Sequence, residues 1–120
     1  MIIKHFEINK LKLNNNFYLF FGNNEGLKEQ TIKDLFEKKF LDKIHRYEER
    51  EILENTDSFF NNILTKSFFD NEKLIIISRV TDKIKTVIEE LIKKDPKDIK
   101  IILNSKNLEK KSTLRKIFEK

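Results

Sequence analysis

The chain has 120 residues with 25 basic and 20 acidic side chains, a net charge of +5 and no cysteine. This length predicts one domain whose core is large enough to fold without cross-links, and the lack of cysteine excludes disulfides, thiolate metal sites and a cysteine nucleophile. The two histidines, His5 and His45, are too few and too far apart in the sequence to predict a zinc or iron site.

The N-terminal segment MIIKHFEINKLKL has charges among its apolar residues and no cleavage site of small residues, so it does not resemble a signal peptide. No apolar run is long enough to cross a membrane, and we expect a cytoplasmic protein without a membrane partner. The basic balance favours an acidic partner such as nucleic acid. The abundance of lysine, asparagine, isoleucine and phenylalanine is also typical of an A+T-rich genome, and we favour this second interpretation, in which most lysines are solvated.

The first half of the chain alternates strand and helix patterns. FYLFFG (Phe17–Gly22) is a short apolar run that predicts a buried strand. A helix is predicted over residues 25–41. Its apolar positions fall on one stripe, which consists of Ile32, Leu35, Phe36 and Phe40. The charged segment 42–51 predicts a polar, partly exposed strand near a sheet edge.

The second half begins with a helix that Thr56 or Asp57 caps. Its apolar positions are Phe60, Leu64 and Phe68 at intervals of four, with Phe59 and Ile63 beside them. KLIIISRV (Lys73–Val80) is apolar at successive positions, which predicts a strand buried on both faces at the centre of a parallel sheet.

A cap at Thr81 or Asp82 starts an amphipathic helix, which Pro96 ends. The apolar residues of this helix are Ile84, Val87, Ile88, Leu91 and Ile92. IKIILNS (Ile99–Ser105) predicts another buried strand, and a basic helix follows with Leu114, Ile117 and Phe118 facing inward. Four strand-then-helix units predict an α/β fold with three layers, a mainly parallel sheet and helices on both faces.

Ligands of such folds bind at the carboxyl ends of the strands, so the loop FGNNEGLKEQ (Phe21–Gln30) was compared with the phosphate loop G-x-x-x-x-G-K-[ST]. Gly22 and Lys28 have the required separation, but Gly26 lies one position early. Leu27 blocks the close approach of backbone to phosphate, and Glu29 places negative charge where magnesium and phosphate must meet. The loop therefore predicts no phosphate chemistry.

The strand Lys73–Val80 gives a second test, because ATPases of this architecture end a central strand with acidic residues. This strand ends in Ser78 and Arg79, so we expect no ATP hydrolysis. Asp70 and Glu72 flank a turn, where solvated acids are common, and are not interpreted as a catalytic pair. The two histidines lie in polar segments and support no catalytic triad.

Three stretches of the sequence together resemble one family, the N-terminal domain of the delta subunit of bacterial DNA polymerase III, a clamp-loader subunit. FYLFFGNNEGLKEQTIKDL (17–35) resembles its opening strand and helix, KSFFDNEKLIII (66–77) its central motif, and LEKKSTLRKIFEK (108–120) its basic last segment. The central motif is the most specific of the three. The resemblance covers nearly the whole chain in the expected order.

This resemblance implies a degenerate AAA+ domain, which has nucleotide-binding architecture without nucleotide chemistry, cofactor or enzyme activity of its own. It implies that residues 1–120 are the N-terminal, clamp-binding domain, and that the family's lid and collar domains, which bind the other clamp-loader subunits, lie outside this chain. The implied function is to bind the sliding clamp, the beta ring, and to help open it for loading onto primed DNA during replication.

In the family, two apolar residues of the central motif insert into a hydrophobic pocket of the clamp, and they correspond to Phe68 and Phe69. Leucine is usual at the position of Phe68, and basic residues are common where this chain has Asn71 and Glu72. From the residues alone, both rings would be interpreted as core or local packing. The resemblance favours clamp contact by both.

Two other functions stay open at this point. One is a small P-loop-like nucleotide-binding enzyme that uses the first loop. The other is a nucleic-acid-binding module that uses the basic last helix. The candidate phosphate contacts of that helix are Lys110, Lys111, Arg115 and Lys116. In the clamp-loader interpretation DNA is expected to be an indirect or weak partner, whereas tight DNA binding without clamp affinity would support the module.

Overall fold

A computed structural model describes residues 6–10, 17–40, 43–64, 73–94, 99–106, 108 and 111–119 of the chain. The strands are β1 (Phe6–Lys10), β2 (Phe17–Gly22), β3 (Ile44–Glu48), β4 (Lys73–Val80) and β5 (Ile99–Ser105). They form one sheet in the order β1-β2-β5-β4-β3. Strands β2, β5, β4 and β3 are parallel, and β1 pairs antiparallel with β2. The prediction of a mainly parallel sheet is confirmed.

Helices cover both faces of this sheet, so the prediction of three layers is also confirmed. The helical elements are α1 (Glu25–Ile32), a π-helical turn (Lys33–Glu37), α2 (Lys38–Phe40), α3 (Glu49–Glu54), α4 (Thr56–Leu64), a 3-10 turn (Asp82–Ile84), α5 (Lys85–Lys94) and α6 (Thr113–Glu119). The continuous segment from α1 to α2 packs on one face of the sheet, and residues of α3, α4, α5 and α6 pack on the other.

Strand β4 contributes to the core on both of its faces. Ile75 and Ile77 belong to the cluster under α3 to α6, whereas Leu74 and Ile76 belong to the cluster under α1. All four side chains are buried. Because successive residues of a strand point to opposite faces, an unbroken aliphatic run is stable only where both faces are covered. The predicted central strand is confirmed.

The stripe predicted for the first helix is wrong at Leu35, which is 50% exposed, whereas Ile32, Phe36 and Phe40 are buried. The physical reason is the π-helical turn at Lys33–Glu37. A π turn is wider than an α turn. Ile32, Phe36 and Phe40, which are four residues apart, therefore stay on one face, whereas Leu35 turns outward.

Helix α4 faces the core with Phe59 and Ile63, both 3% exposed, while Phe60 and Leu64 are only half-buried. Phe59 packs edge-on against Tyr47 of β3, with ring centroids 5.0 Å apart. The most deeply buried row of this helix is therefore Phe59 and Ile63, and not the predicted row of Phe60 and Leu64. Its cap is Asn55, one residue earlier than predicted, whose Oδ1 accepts from the Ser58 amide at 3.3 Å.

Three further boundaries differ from the predictions. Strand β1 was missed, because its segment had been analysed only as a possible signal peptide. The strand predicted over 42–51 ends at Glu48, where the side chains of Glu48 and Glu51 cap each other's backbone amides and start α3. The last helix begins only at Thr113. Its buried residues are Leu114 and Phe118, and Ile117 is half-buried.

Asp82 joins the starts of two helices. Thr81 caps the 3-10 turn before α5, as predicted, by accepting from the Lys83 amide at 3.2 Å. The Asp82 carboxylate then accepts from Ser112 Oγ at 2.5 Å and from the Leu114 amide at 3.1 Å. The hydrogen bond from Ser112, followed by those from the backbone amides, holds the pKa of Asp82 below its ordinary value of 3.8.

We expect Asp82→Asn to lower the free energy of unfolding at neutral pH, because the amide replaces a charged acceptor at the start of α6. A carboxyl whose pKa is depressed by folding stabilises the protein above its unfolded-state pKa and loses that effect as the pH falls through its folded-state pKa. Urea unfolding of both proteins at about pH 7 and about pH 3 would measure this difference. If the two proteins differed in free energy of unfolding by the same amount at both pH values, the lowered pKa of Asp82 would be contradicted.

Candidate functional site

The turn from β2 into α1 lies at the carboxyl edge of the sheet, where the sequence predicted a degenerate phosphate loop. Gly22 ends β2 with φ of 139°, in the region that favours glycine. Asn24 caps α1, because its Oδ1 accepts from the Leu27 amide at 3.1 Å. Leu27 and Glu29 are exposed on the first turns of the helix. A capped helix start follows the strand here, in place of an open, glycine-rich cradle.

Lys28, the residue at the position of the phosphate-loop lysine, points into the protein. Its side chain is fully buried. Its Nζ donates to the carbonyl oxygen of Ser105 at 2.5 Å and lies 3.1 Å from Oε1 of Glu25. Ser105 is the last residue of β5, so the lysine ties the start of α1 to the end of the neighbouring strand.

The other oxygen of the Glu25 carboxylate also has a partner. Asn104 Nδ2 donates to Glu25 Oε2 at 2.9 Å, and Asn104 itself is 5% exposed. We call Glu25, Lys28 and Asn104, with the Ser105 carbonyl, the carboxyl-edge clasp. A nucleotide does not fit these residues, because the ammonium group that would neutralise its phosphates is already bound to two internal acceptors.

The carboxyl end of β4 supports the same interpretation. Arg79 has a left-handed φ of 57° at an irregularity in the pairing with β5, between Ser78 and Val80. Its exposed guanidinium pairs with Glu48 of β3 at 3.2 Å. The position where an ATPase of this architecture holds an acidic residue is thus occupied by Ser78 and an arginine.

The residues predicted to contact the clamp, Phe68 and Phe69, lie outside the described residues, as do Asp70 and Glu72. They belong to the segment 65–72, which connects the last residue of α4, Leu64, to the first residue of β4, Lys73. Lys73 starts β4 at the amino edge of the sheet, the edge opposite the clasp.

The basic C-terminal segment is described in part. Lys110 lies outside the described residues, and Lys111 and Lys116 are exposed. Arg115 is half-buried, with its guanidinium 4.7 Å from the ring centroid of Phe21 and a hydrogen bond of 3.1 Å to the Leu108 carbonyl. Arg115 therefore has a packing role, and the predicted phosphate contacts of these residues stay predictions.

Two searches for other kinds of site were negative. Among the residues that the structure describes, no group of three or more histidine, cysteine or carboxylate side chains is placed to hold a metal ion. In the same part of the chain, none of the helices has the length and apolar character needed to cross a membrane. His45 is an exposed residue of β3.

Comparison with known proteins is decisive at the level of the family. The family model of the DNA polymerase III delta subunit matches residues 18–120. The chain belongs to this family. The resemblance found in the sequence is thereby confirmed. Searches of curated proteins and of solved structures gave no match.

Membership of the delta subunit family implies the role of a clamp-loader subunit in DNA replication, within the DNA polymerase III clamp-loader complex. The family is a non-catalytic component of that complex. This agrees with the geometry of the carboxyl edge. The ammonium group of Lys28, which a nucleotide would need, is bound there to the Ser105 carbonyl and the Glu25 carboxylate.

Sequence reasoning missed three members of the carboxyl-edge clasp, namely Glu25, Asn104 and Ser105. A weak signal was present, because Asn104 and Ser105 are polar residues that end an otherwise aliphatic strand. Their pairing with α1 depends on strand order, which places β5 directly beside β2. Residue patterns along the chain do not specify that order.

We expect Lys28→Met to lower the free energy of unfolding by about 1.5–3 kcal/mol, the range for a hydrogen bond to a charged group. The variant keeps most of the volume but leaves the Ser105 carbonyl and the Glu25 carboxylate without their shared partner. Lys33→Met removes an exposed lysine of the same helical segment and should change stability by less than about 0.5 kcal/mol. If urea unfolding gave the same loss of free energy of unfolding for Lys28→Met and Lys33→Met, Lys28 would contribute no more to stability than a surface lysine.

Proposed function

We propose that this delta-family domain binds the sliding clamp through Phe68 and Phe69 and helps to open the ring, without hydrolysing ATP. Family membership over residues 18–120 is the observation that carries the proposal. Residues 1–120 would be the N-terminal domain of the subunit, and the lid and collar domains would provide contacts to the other clamp-loader subunits. DNA would be reached indirectly, through the loaded clamp.

The row of α4 that leads towards Phe68 in the sequence is less buried than the row beside it. Phe68 continues the row of Phe60 and Leu64 at intervals of four, so a helical core position would require that row to face inward. Phe59 and Ile63 are buried in the core, whereas Phe60 and Leu64 are half-buried and pack against it. The row that leads towards Phe68 lines an open groove of about 1000 Å³ between α4 and α5.

The mechanism requires no covalent step. Burying a phenylalanine side chain contributes roughly 1.5–3 kcal/mol, and two adjacent rings seated in an apolar pocket would form a hot spot of the interface. If the pocket fits the rings better when the clamp interface is distorted, binding shifts the ring towards the open state by that difference in affinity. ATP bound by other subunits would control when the rings are exposed.

We expect Phe69→Ala to weaken clamp binding by about 2 kcal/mol or more, a loss of about 30-fold in affinity. Phe68→Ala should also weaken it. Calorimetric titration of each variant into the sliding clamp of the same organism would measure the loss. Leu35→Ala is the matched control, because it truncates an exposed apolar side chain on the other face of the sheet and should leave the affinity unchanged.

The proposal would be contradicted if the folded wild-type domain gave neither heat nor complex with the folded clamp. It would also be contradicted if both phenylalanine variants unfolded without a specific binding defect, because that result would place the rings in the core. Circular dichroism of every variant at the titration temperature separates the two outcomes.

The proposal further predicts that the wild-type domain shows no saturable binding of ATP and magnesium. The reason is that Lys28 is buried with two internal partners and Glu29 is exposed at the position of the hydroxyl that would hold magnesium. Calorimetry with ATP at millimolar concentration tests this. A saturable heat would favour the nucleotide-binding alternative instead.

A further inference from the structure

The ion pair of Lys28 and Glu25 differs from an ordinary ion pair on a helix in the burial of its lysine. Pairs three residues apart usually lie at the surface with both groups solvated. Here the lysine is fully buried while the glutamate is 51% exposed. The ammonium group also donates to the Ser105 carbonyl, so it is held in place by more than its partner on the helix.

The Glu25 carboxylate lies beside Lys28, the residue at the position of the phosphate-loop lysine. It lies in the first turn of α1, near the positive end of the helix dipole. One of its oxygens faces the Lys28 ammonium and the other accepts from the Asn104 amide. A lysine ammonium group and a side-chain N–H are donors that the oxygens of a phosphate group also accept from.

We propose that the Glu25 carboxylate is an internal anion that takes the position of a bound phosphate, and that its removal opens an anion site built on Lys28 and Asn104. The domain thus keeps Lys28 at the position of the phosphate-loop lysine, and the carboxylate of Glu25 takes the place of the phosphate as its counter-ion. This inference does not depend on clamp binding and is tested without the clamp.

Two features would allow an anion to bind at the site that removal of the Glu25 side chain opens. A buried ammonium without a counter-ion is strongly destabilising, so Lys28 would favour any anion that reaches it. The place of Glu25 is open to solvent, because that side chain is half-exposed. The backbone beside it is also uncrowded, since a methyl group built on Gly26 would have only Asn24 Oδ1 near it, at 4.0 Å.

The test compares thermal unfolding in pyrophosphate and in chloride at equal ionic strength. Because phosphate-type salts stabilise folded proteins in general, the shift of the wild-type midpoint between the two salts is the reference to which each variant is compared. For Glu25→Ala the upward shift in pyrophosphate should be larger, because a ligand that binds only the folded state raises stability with its concentration. We expect the apparent Kd for pyrophosphate to be at least about tenfold lower than for wild type, which corresponds to about 1.4 kcal/mol.

Glu29→Ala is the matched control, since it removes the same charge from an exposed position one turn along the same helix. It should behave as wild type in both salts. Adding Lys28→Met to Glu25→Ala should abolish the gain, because the ammonium group is the main anion contact. A gain that persists without Lys28, or that Glu29→Ala shares, would overturn the proposal in favour of a general charge effect.

If Glu25→Ala does not fold in chloride, pyrophosphate is expected to restore its folding. Where neither salt gives a folded protein, Glu25→Gln decides, because it keeps the shape and the acceptor for Asn104 but removes the charge. Gain of pyrophosphate binding by this variant supports the internal anion. Behaviour identical to wild type would show that Glu25 and Lys28 form only a helical ion pair.

Discussion

The burial of β4 and β5 on both faces is the constraint on which the rest of the structure depends. These two strands pair along nearly their whole length, and each needs an apolar layer above and below. The helical segment from α1 to α2 supplies one layer, and α3 to α6 supply the other. The sheet then has an amino edge and a carboxyl edge with separate roles. The segment with Phe68 and Phe69 connects to the amino edge, and the carboxyl-edge clasp closes the other.

The carboxyl edge shows how an architecture typical of nucleotide binding can exist without a nucleotide. In such folds the ligand contributes charge that links the first helix to the central strands. Here Lys28 makes that link with the Ser105 carbonyl and the Glu25 carboxylate. The protein therefore needs no bound anion to hold α1 against β5. A subunit with a non-catalytic role in its complex can keep this rigid frame without a nucleotide.

Much of the fold could be predicted because the deciding signals are local. The aliphatic run of β4 predicts burial on both faces, and Thr81 predicts the start of the next helix. Where the prediction failed, a departure from regular helix geometry or a contact between distant residues decided the outcome. The π turn rotated Leu35 outward, and packing against Tyr47 selected Phe59 over Phe60 as the inward residue of α4. The direction of Lys28 depended on a strand that begins about seventy residues later in the chain. The predicted clamp contacts of Phe68 and Phe69 came from the family resemblance, since composition and periodicity alone favoured packing for both rings.

The pairing of β2 has a consequence for synthesis on the ribosome. β2 lies between β1 and β5, with Phe17 opposite Ile101 in the parallel register. Its antiparallel neighbour precedes it in the chain and is available as soon as β2 emerges. Its parallel neighbour, β5, follows only after β3 and β4. One edge of an apolar strand therefore stays unpaired until β5 emerges, a state that favours association with other chains. The early pairing with β1 limits that exposure to a single edge.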